Sequence, residues 1–188
     1  MKDKWPAELG FSLILAGAVC LLGCSSSVPT NTGANTTPPA TVAYAWGVSA
    51  GNGNPLTILE YSTGSGVVTG TLTLPSSFTG TTMATDSRGY LYVPGIINTN
   101  AQVLIYPPKS TGTATPARVI EIPNSYEPNL LAVSPTNLVY VITGGWPTGS
   151  FVSVYSADAS GFATPLRTVQ VNTTDTMLDL AADAAGNI

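Results

Sequence analysis

The chain has 188 residues, 44% of them hydrophobic and only 9% charged, with no histidine and a formal net charge of −4. So few charges exclude a highly charged disordered chain, and six basic residues leave little to grip phosphate backbones, which disfavours a nucleic-acid partner. Without histidine there is no His-dependent triad, imidazole acid–base pair or His–metal site. Nineteen glycines and fifteen prolines, among many Thr and Ser, predict a turn-rich all-β chain.

The N-terminus reads as an export address. Met1 to Lys4 form a short charged segment, and Phe11 to Leu22 form an apolar run of twelve residues. A membrane-spanning helix needs about 20 apolar residues, whereas a secretory signal core needs about 7–15. Residues 1–23 are therefore assigned as a signal segment. Leu21-Leu22-Gly23-Cys24 resembles the bacterial lipobox, in which a cysteine after small residues is diacylated and becomes the new N-terminus. The resemblance implies lipidation at Cys24; ordinary signal cleavage, with Cys24 left as a free thiol, is the alternative. Cys20 follows Val19 and fits the pattern less well. Ser25 stands where an aspartate would be a retention signal, and this resembles lipoproteins passed to the outer membrane of diderm cells. The implied location is the cell envelope, on the periplasmic or cell-surface side.

Residues 24–41 carry no charge and no hydrophobic periodicity, and are expected to form a flexible tether. Removing the signal segment takes away Lys2, Lys4, Asp3 and Glu8, so the net charge stays at −4. With Cys20 removed and Cys24 acylated, no thiol remains for a disulfide, and stability must come from packing and backbone pairing.

Residues 42–188 contain landmarks in one register. Tyr44, Tyr92 and Tyr140 are each 48 apart; Tyr61, Tyr106 and Tyr155 are 45 and 49 apart. Gly66, Gly112 and Gly161 follow the second set, and Pro116-Ala-Arg118 recurs as Pro165-Leu-Arg167. Met83 to Gly89, Leu131 to Asn137 and Leu180 to Gly186 align without gaps. Within a unit the expected strands are Leu130–Val133 and its equivalents, Leu91–Val93, Val103–Tyr106 and Arg118–Ile122. Four short strands per ~40–50 residues predict β-propeller-type antiparallel blades. Strand counting gives three, four, four and one, which is about three blades and an incomplete ring. Leu180 to Ile188 resembles the NHL-type propeller repeat, and Tyr155 to Arg167 resembles blades of exported bacterial propellers. The next tyrosine is due near position 189, so the chain is expected to be part of a longer propeller that is poorly soluble alone or self-associates.

Asp86 and Asp183 invite a metal reading, but each has Gly three residues on, the pattern of a type I turn whose carboxylate accepts backbone N–H bonds. Ser134-Pro-Thr-Asn137 replaces them with chemically equivalent turn residues. No metal site, cofactor or catalytic constellation is predicted. Glu60, Glu121, Glu127, Asp158, Asp175 and Asp179 are scattered without acid–base spacing. The tyrosines are expected to pack between blades with hydroxyls reaching the surface, and Arg118 and Arg167 to cover apolar surface with their stems. Trp146, in a glycine-rich loop, is the candidate platform for a sugar ring or peptide, with capping of a hydrophobic rim the blander role. The function expected is a membrane-anchored, non-enzymatic binding or scaffolding module for a protein or carbohydrate ligand. The alternative is a fragment of a lactonase- or lyase-type propeller enzyme, whose metal ligands and histidines would lie in further blades.

Overall fold

The computed structural model describes residues 42–47, 55–80, 82–122, 128, 130–145, 149–171, 179–183 and 185–188. These residues contain twelve β-strands and no helix, hence none long and apolar enough to cross a membrane. The signal segment, the tether and the Gly51–Asn54 loop lie outside them.

Three antiparallel sheets follow one another along the chain. The first is β1 (Val42–Gly47), β2 (Thr57–Ser62) and β3 (Val68–Thr73), in that order. The second has β4 (Phe78–Thr79) and β5 (Ala84–Thr85) sharing one edge of β6 (Leu91–Ile97), then β7 (Asn100–Tyr106) and β8 (Arg118–Glu121). The third runs β9 (Leu130–Val133), β10 (Leu138–Gly145), β11 (Gly149–Ser156) and β12 (Arg167–Val171).

Local chemistry explains several boundaries. β6 and β7 are joined by Asn98 and Thr99 at φ 47° and 75°, the paired left-handed geometry of a tight hairpin that asparagine tolerates well. β5 pairs with Leu91 and Tyr92, β4 pairs with Ile96 and Ile97, and Pro94 sits between. Its carbonyl faces Gly80, so the side of the strand that lacks an N–H faces the gap in the partner strand. One edge strand is thereby split into two pairs of residues. Gly95 and Gly80 leave room for the Phe78 ring, which packs over both.

Alternation sets the packing. Along β7, Leu104 and Tyr106 join one cluster with Ile58, Leu72, Leu91 and Val93, between the first and second sheets. Val103 and Ile105 point the other way, joining Tyr92, Ile120, Leu131 and Val139 between the second and third. The middle sheet is buried on both faces, which is why 103–106 reads as an unbroken apolar run. A third cluster, with Tyr140, Ile142, Val152 and Val154, covers the far face of the third sheet, where Leu180 and Ala182 pack on it.

Backbone bridges tie each sheet to the next. Gly112 donates to the Thr71 carbonyl and accepts from Thr73, both at 2.7 Å; Gly161 does the same to Val119 and Glu121 at 2.7 and 2.8 Å. Both glycines are left-handed, at φ 62° and 64°, so the loop before the outer strand of one sheet clips onto the outer strand of the sheet before it.

Two expectations need revision. Leu180–Asp183 is not a strand, and β4 takes the twelfth place instead. Three of the tyrosine hydroxyls do not reach solvent as expected: Tyr92 bonds Asp86, Tyr140 bonds the Gly186 carbonyl, and the Tyr106 hydroxyl is buried with no partner among the described residues. Burial pushes the Tyr106 phenol from 10.0 up to about 12, and raises Tyr92 and Tyr155 as well. Because the folded values lie above the unfolded ones, this contribution is intact below pH 10 and is lost as pH rises through the folded values. The denaturation midpoint should fall between pH 10 and 12. Tyr106→Phe should flatten that fall and leave stability at pH 7 unchanged or about 1 kcal/mol higher, since it deletes an unpaired buried hydroxyl. A Tyr106→Phe protein with a lower midpoint at pH 7 would contradict the assignment.

Candidate functional site

The ion pairs among the described residues gather where the second sheet meets the third. Asp86 follows β5 and opens a turn in which Gly89 N–H donates to its carbonyl at 3.0 Å and Gly89 takes φ 83°. Oδ1 of its side chain, itself fully buried, accepts from the backbone N–H groups of Arg88 and Tyr90, each at 2.9 Å. Oδ2 accepts from the Arg88 guanidinium at 2.9 Å and from the Tyr92 hydroxyl at 3.2 Å. Both oxygens are thus fully engaged.

The same turn recurs at Ser134 and Asp183. Asn137 and Gly186 supply the left-handed residue, at φ 63° and 81°, and the side-chain oxygen caps the turn at 3.1 Å for Ser134 and 2.8 Å for Asp183. The expected turn role of Asp86 and Asp183 is what the hydrogen bonds deliver. Hydrogen bonds from Asn187 hold the Asp183 carboxyl below its ordinary range, its side chain and backbone both donating.

From this turn Arg88 reaches across to Asp158 of the third sheet at 3.3 Å, where Arg118 also binds Asp158 at 3.1 Å and donates to the Ala157 carbonyl. The Tyr90 ring receives both guanidinium groups, at 5.1 and 5.5 Å from its centroid. Its bond to Asp86, first among several causes, raises the Arg88 pKa further above its ordinary value. Two acids and two bases balance, so the cluster holds no net charge for a ligand. It joins two sheets. Asp158 is 78% exposed, so its ion pairs are screened by solvent and add little to stability. The sequence separations of 70 and 40 residues hid this network from local pattern reading. Arg118 therefore does more than cover apolar surface, and Arg167 likewise donates to the Gly186 carbonyl at 3.4 Å.

The described residues also line open clefts. One of about 470 Å³ lies between Pro55, Leu74, Pro75, Thr113 and Pro116, beside the clip that links the first two sheets. Another, about 370 Å³, is bounded by Tyr140, Val154, Leu166, Arg167 and Gly186 on the far face of the third sheet. Glu60, Glu121, Asp158 and Asp179 are not brought together, and among the described residues no three of His, Cys, Asp or Glu converge as metal ligands. Cys24, Trp146, Glu127 and Asp175 lie outside the described residues. The sequence matches no protein-family model, and no curated protein matches it either.

Proposed function

We propose that this protein is a lipid-anchored module of the bacterial cell envelope, built from β-propeller-type blades and serving as a binding or scaffolding surface rather than an enzyme. One observation carries the reading: Leu21-Leu22-Gly23-Cys24 stands directly after a twelve-residue apolar run and before an uncharged tether. Two acyl chains would hold such a chain on a membrane, each buried CH₂ contributing ~0.8 kcal/mol. With the flexibility their composition predicts, the sixteen residues 25–40 would reach ~20–25 Å, enough to lift the body clear of the headgroups. The body fits the role. Successive antiparallel sheets share apolar clusters, and Asp86, Arg88, Arg118 and Asp158 form a charge-balanced network where the second and third meet. The proposed ligand is a protein or carbohydrate, with Trp146 the aromatic platform for it.

Metabolic labelling with a palmitate analogue should mark the wild-type chain in the membrane fraction. Cys24→Ala should abolish the label and move the protein to the soluble fraction. Membrane association that persists unlabelled would overturn the anchor.

A further inference from the structure

Strand register sorts the charges of the body between two ends. One end holds the capped turns at Asp86, Ser134 and Asp183; there Leu91 pairs with Tyr106, and Leu138 with Ser156. The opposite end holds the Asn98–Thr99 hairpin, where Ile97 pairs with Asn100. After the signal segment the sequence has four basic residues, Arg88, Lys109, Arg118 and Arg167. All four stand at the turn end. Arg88 and Arg118 meet on Asp158, just beyond Ser156, and Arg167 reaches the Gly186 carbonyl. Lys109 lies in the loop that leaves Tyr106, where Pro108 sits over Gly89 of the Asp86 turn. Ser110 donates to the Pro107 carbonyl at 2.7 Å and closes that loop, with the exposed Lys109 held at φ 64°. Among the described residues neither Lys109 nor Arg167 is in an ion pair. Of the acids outside these turns, Glu60 lies partway along β2 and Asp179 four residues ahead of the Asp183 turn. Glu121 lies toward the hairpin end, opposite Gln102, and no base accompanies it there.

Apolar residues and the tether come to the same end. Val42, which follows the tether, pairs with Ser62, so the tether joins the body here. From Ser62 the chain runs to Val67, 60% exposed, with open space around Gly64 and Gly66. In the third sheet Leu166, 64% exposed, stands beside Arg167. Its counterpart Ala117 is also exposed, in a sheet with a neighbour on each side, so this position is open even where sheets flank it. The strands that lead into residues 48–54, 123–127, 146–148 and 172–178 all do so at the hairpin end, through Gly47, Glu121, Gly145 and Val171. None of those stretches starts beside Val67 or Lys109.

We infer, resting on the anchor proposed above, that the turn end is the face the body sets on the bilayer, against anionic phospholipid headgroups. Val67 and Leu166 enter the interface, and Lys109 and Arg167 meet headgroup phosphates. Exposed apolar residues beside uncommitted bases are what an anionic lipid interface attracts, and Glu121, at the end without a base, is turned away from it. The tether is long enough to release the body, so this end makes the contact by its own chemistry. Screening by salt should therefore weaken it.

The test places the full chain, recovered from bacterial membranes, in vesicles of phosphatidylcholine with about one third phosphatidylglycerol. A photoreactive phenylalanine stands at Val67, at Leu166 or, on the opposite end, at the exposed Asn100. Irradiation should give phospholipid adducts at Val67 and Leu166 roughly fivefold or more above Asn100, and much less excess in phosphatidylcholine alone. Lys109→Glu should cut the Val67 adduct about fivefold, the loss expected for one basic residue at an anionic surface. Intact mass of the same sample reads acylation of Cys24 separately. The expected pattern on a chain without diacylglycerol would keep the face and remove the anchor. Adducts equal at all three sites, greatest at Asn100 or absent everywhere would overturn the face, whether or not Cys24 is acylated. An undiminished Val67 adduct in the Lys109→Glu chain would overturn the headgroup contact. Far-UV circular dichroism checks that the strands persist; if that variant loses them, raised salt on the wild type gives the same readout.

Discussion

Asp86→Ala is expected to lower the unfolding free energy by about 3 kcal/mol, read as a shift in the denaturant midpoint at constant slope. The carboxylate has no exposed side-chain area and accepts two backbone N–H bonds, the Arg88 guanidinium and the Tyr92 hydroxyl. Alanine would leave the buried Tyr92 hydroxyl and two turn N–H groups unpaired, and unmade buried bonds cost more than made ones return. Arg88 is 40% exposed and can turn to water, so the full penalty for stranding a buried charge does not apply. Asp86→Asn should fall between, because the amide keeps an acceptor for the turn but puts N–H groups where a carboxylate oxygen belongs. Asp183→Ala removes the same turn bonds at an exposed site and should cost much less. Equal losses at the two positions would show that the turn alone, and not the buried network, carries the effect.

The second large effect is expected at Gly95. A methyl group there would meet the Thr79 carbonyl and the Phe78 ring, one of them backbone that cannot rotate away. Gly95→Ala should therefore destabilise by about 3 kcal/mol, the upper part of the overpacking range. The damage should centre on β4, whose two residues pair only with Ile96 and Ile97. In a Phe78→Ala background the same change should cost clearly less, since the ring clash is gone and only the carbonyl remains. Additive losses would place the strain elsewhere.

What the sequence revealed and what it hid divide along physical lines. β9 was legible to the residue because Leu130–Val133 is a short apolar run ending at a Ser-Pro turn. The cores of β6, β7 and β8 were legible for the same reason. The three turns were readable because Asp or Ser at the first position and Gly or Asn at the fourth answer to local geometry alone. β4 was not, because Phe78–Thr79 sits in a polar, proline-flanked stretch and is a strand only through pairing with β6. Leu180–Asp183 fails in the opposite sense. Its sequence suits a strand, but no strand among the described residues pairs with it. Nor could spacing show that Gly112 and Gly161 clip one sheet to the previous one, or that Arg88 and Arg118 meet on Asp158. Those contacts join residues 40 to 70 positions apart.

The most direct test of the central claim is intact-mass and N-terminal peptide mass spectrometry of the chain recovered from a bacterial membrane fraction. The expected species is a mature protein whose first residue is Cys24, carrying diacylglycerol on its sulfur. A chain that begins at any other residue, or at Cys24 with an unmodified thiol, would contradict it.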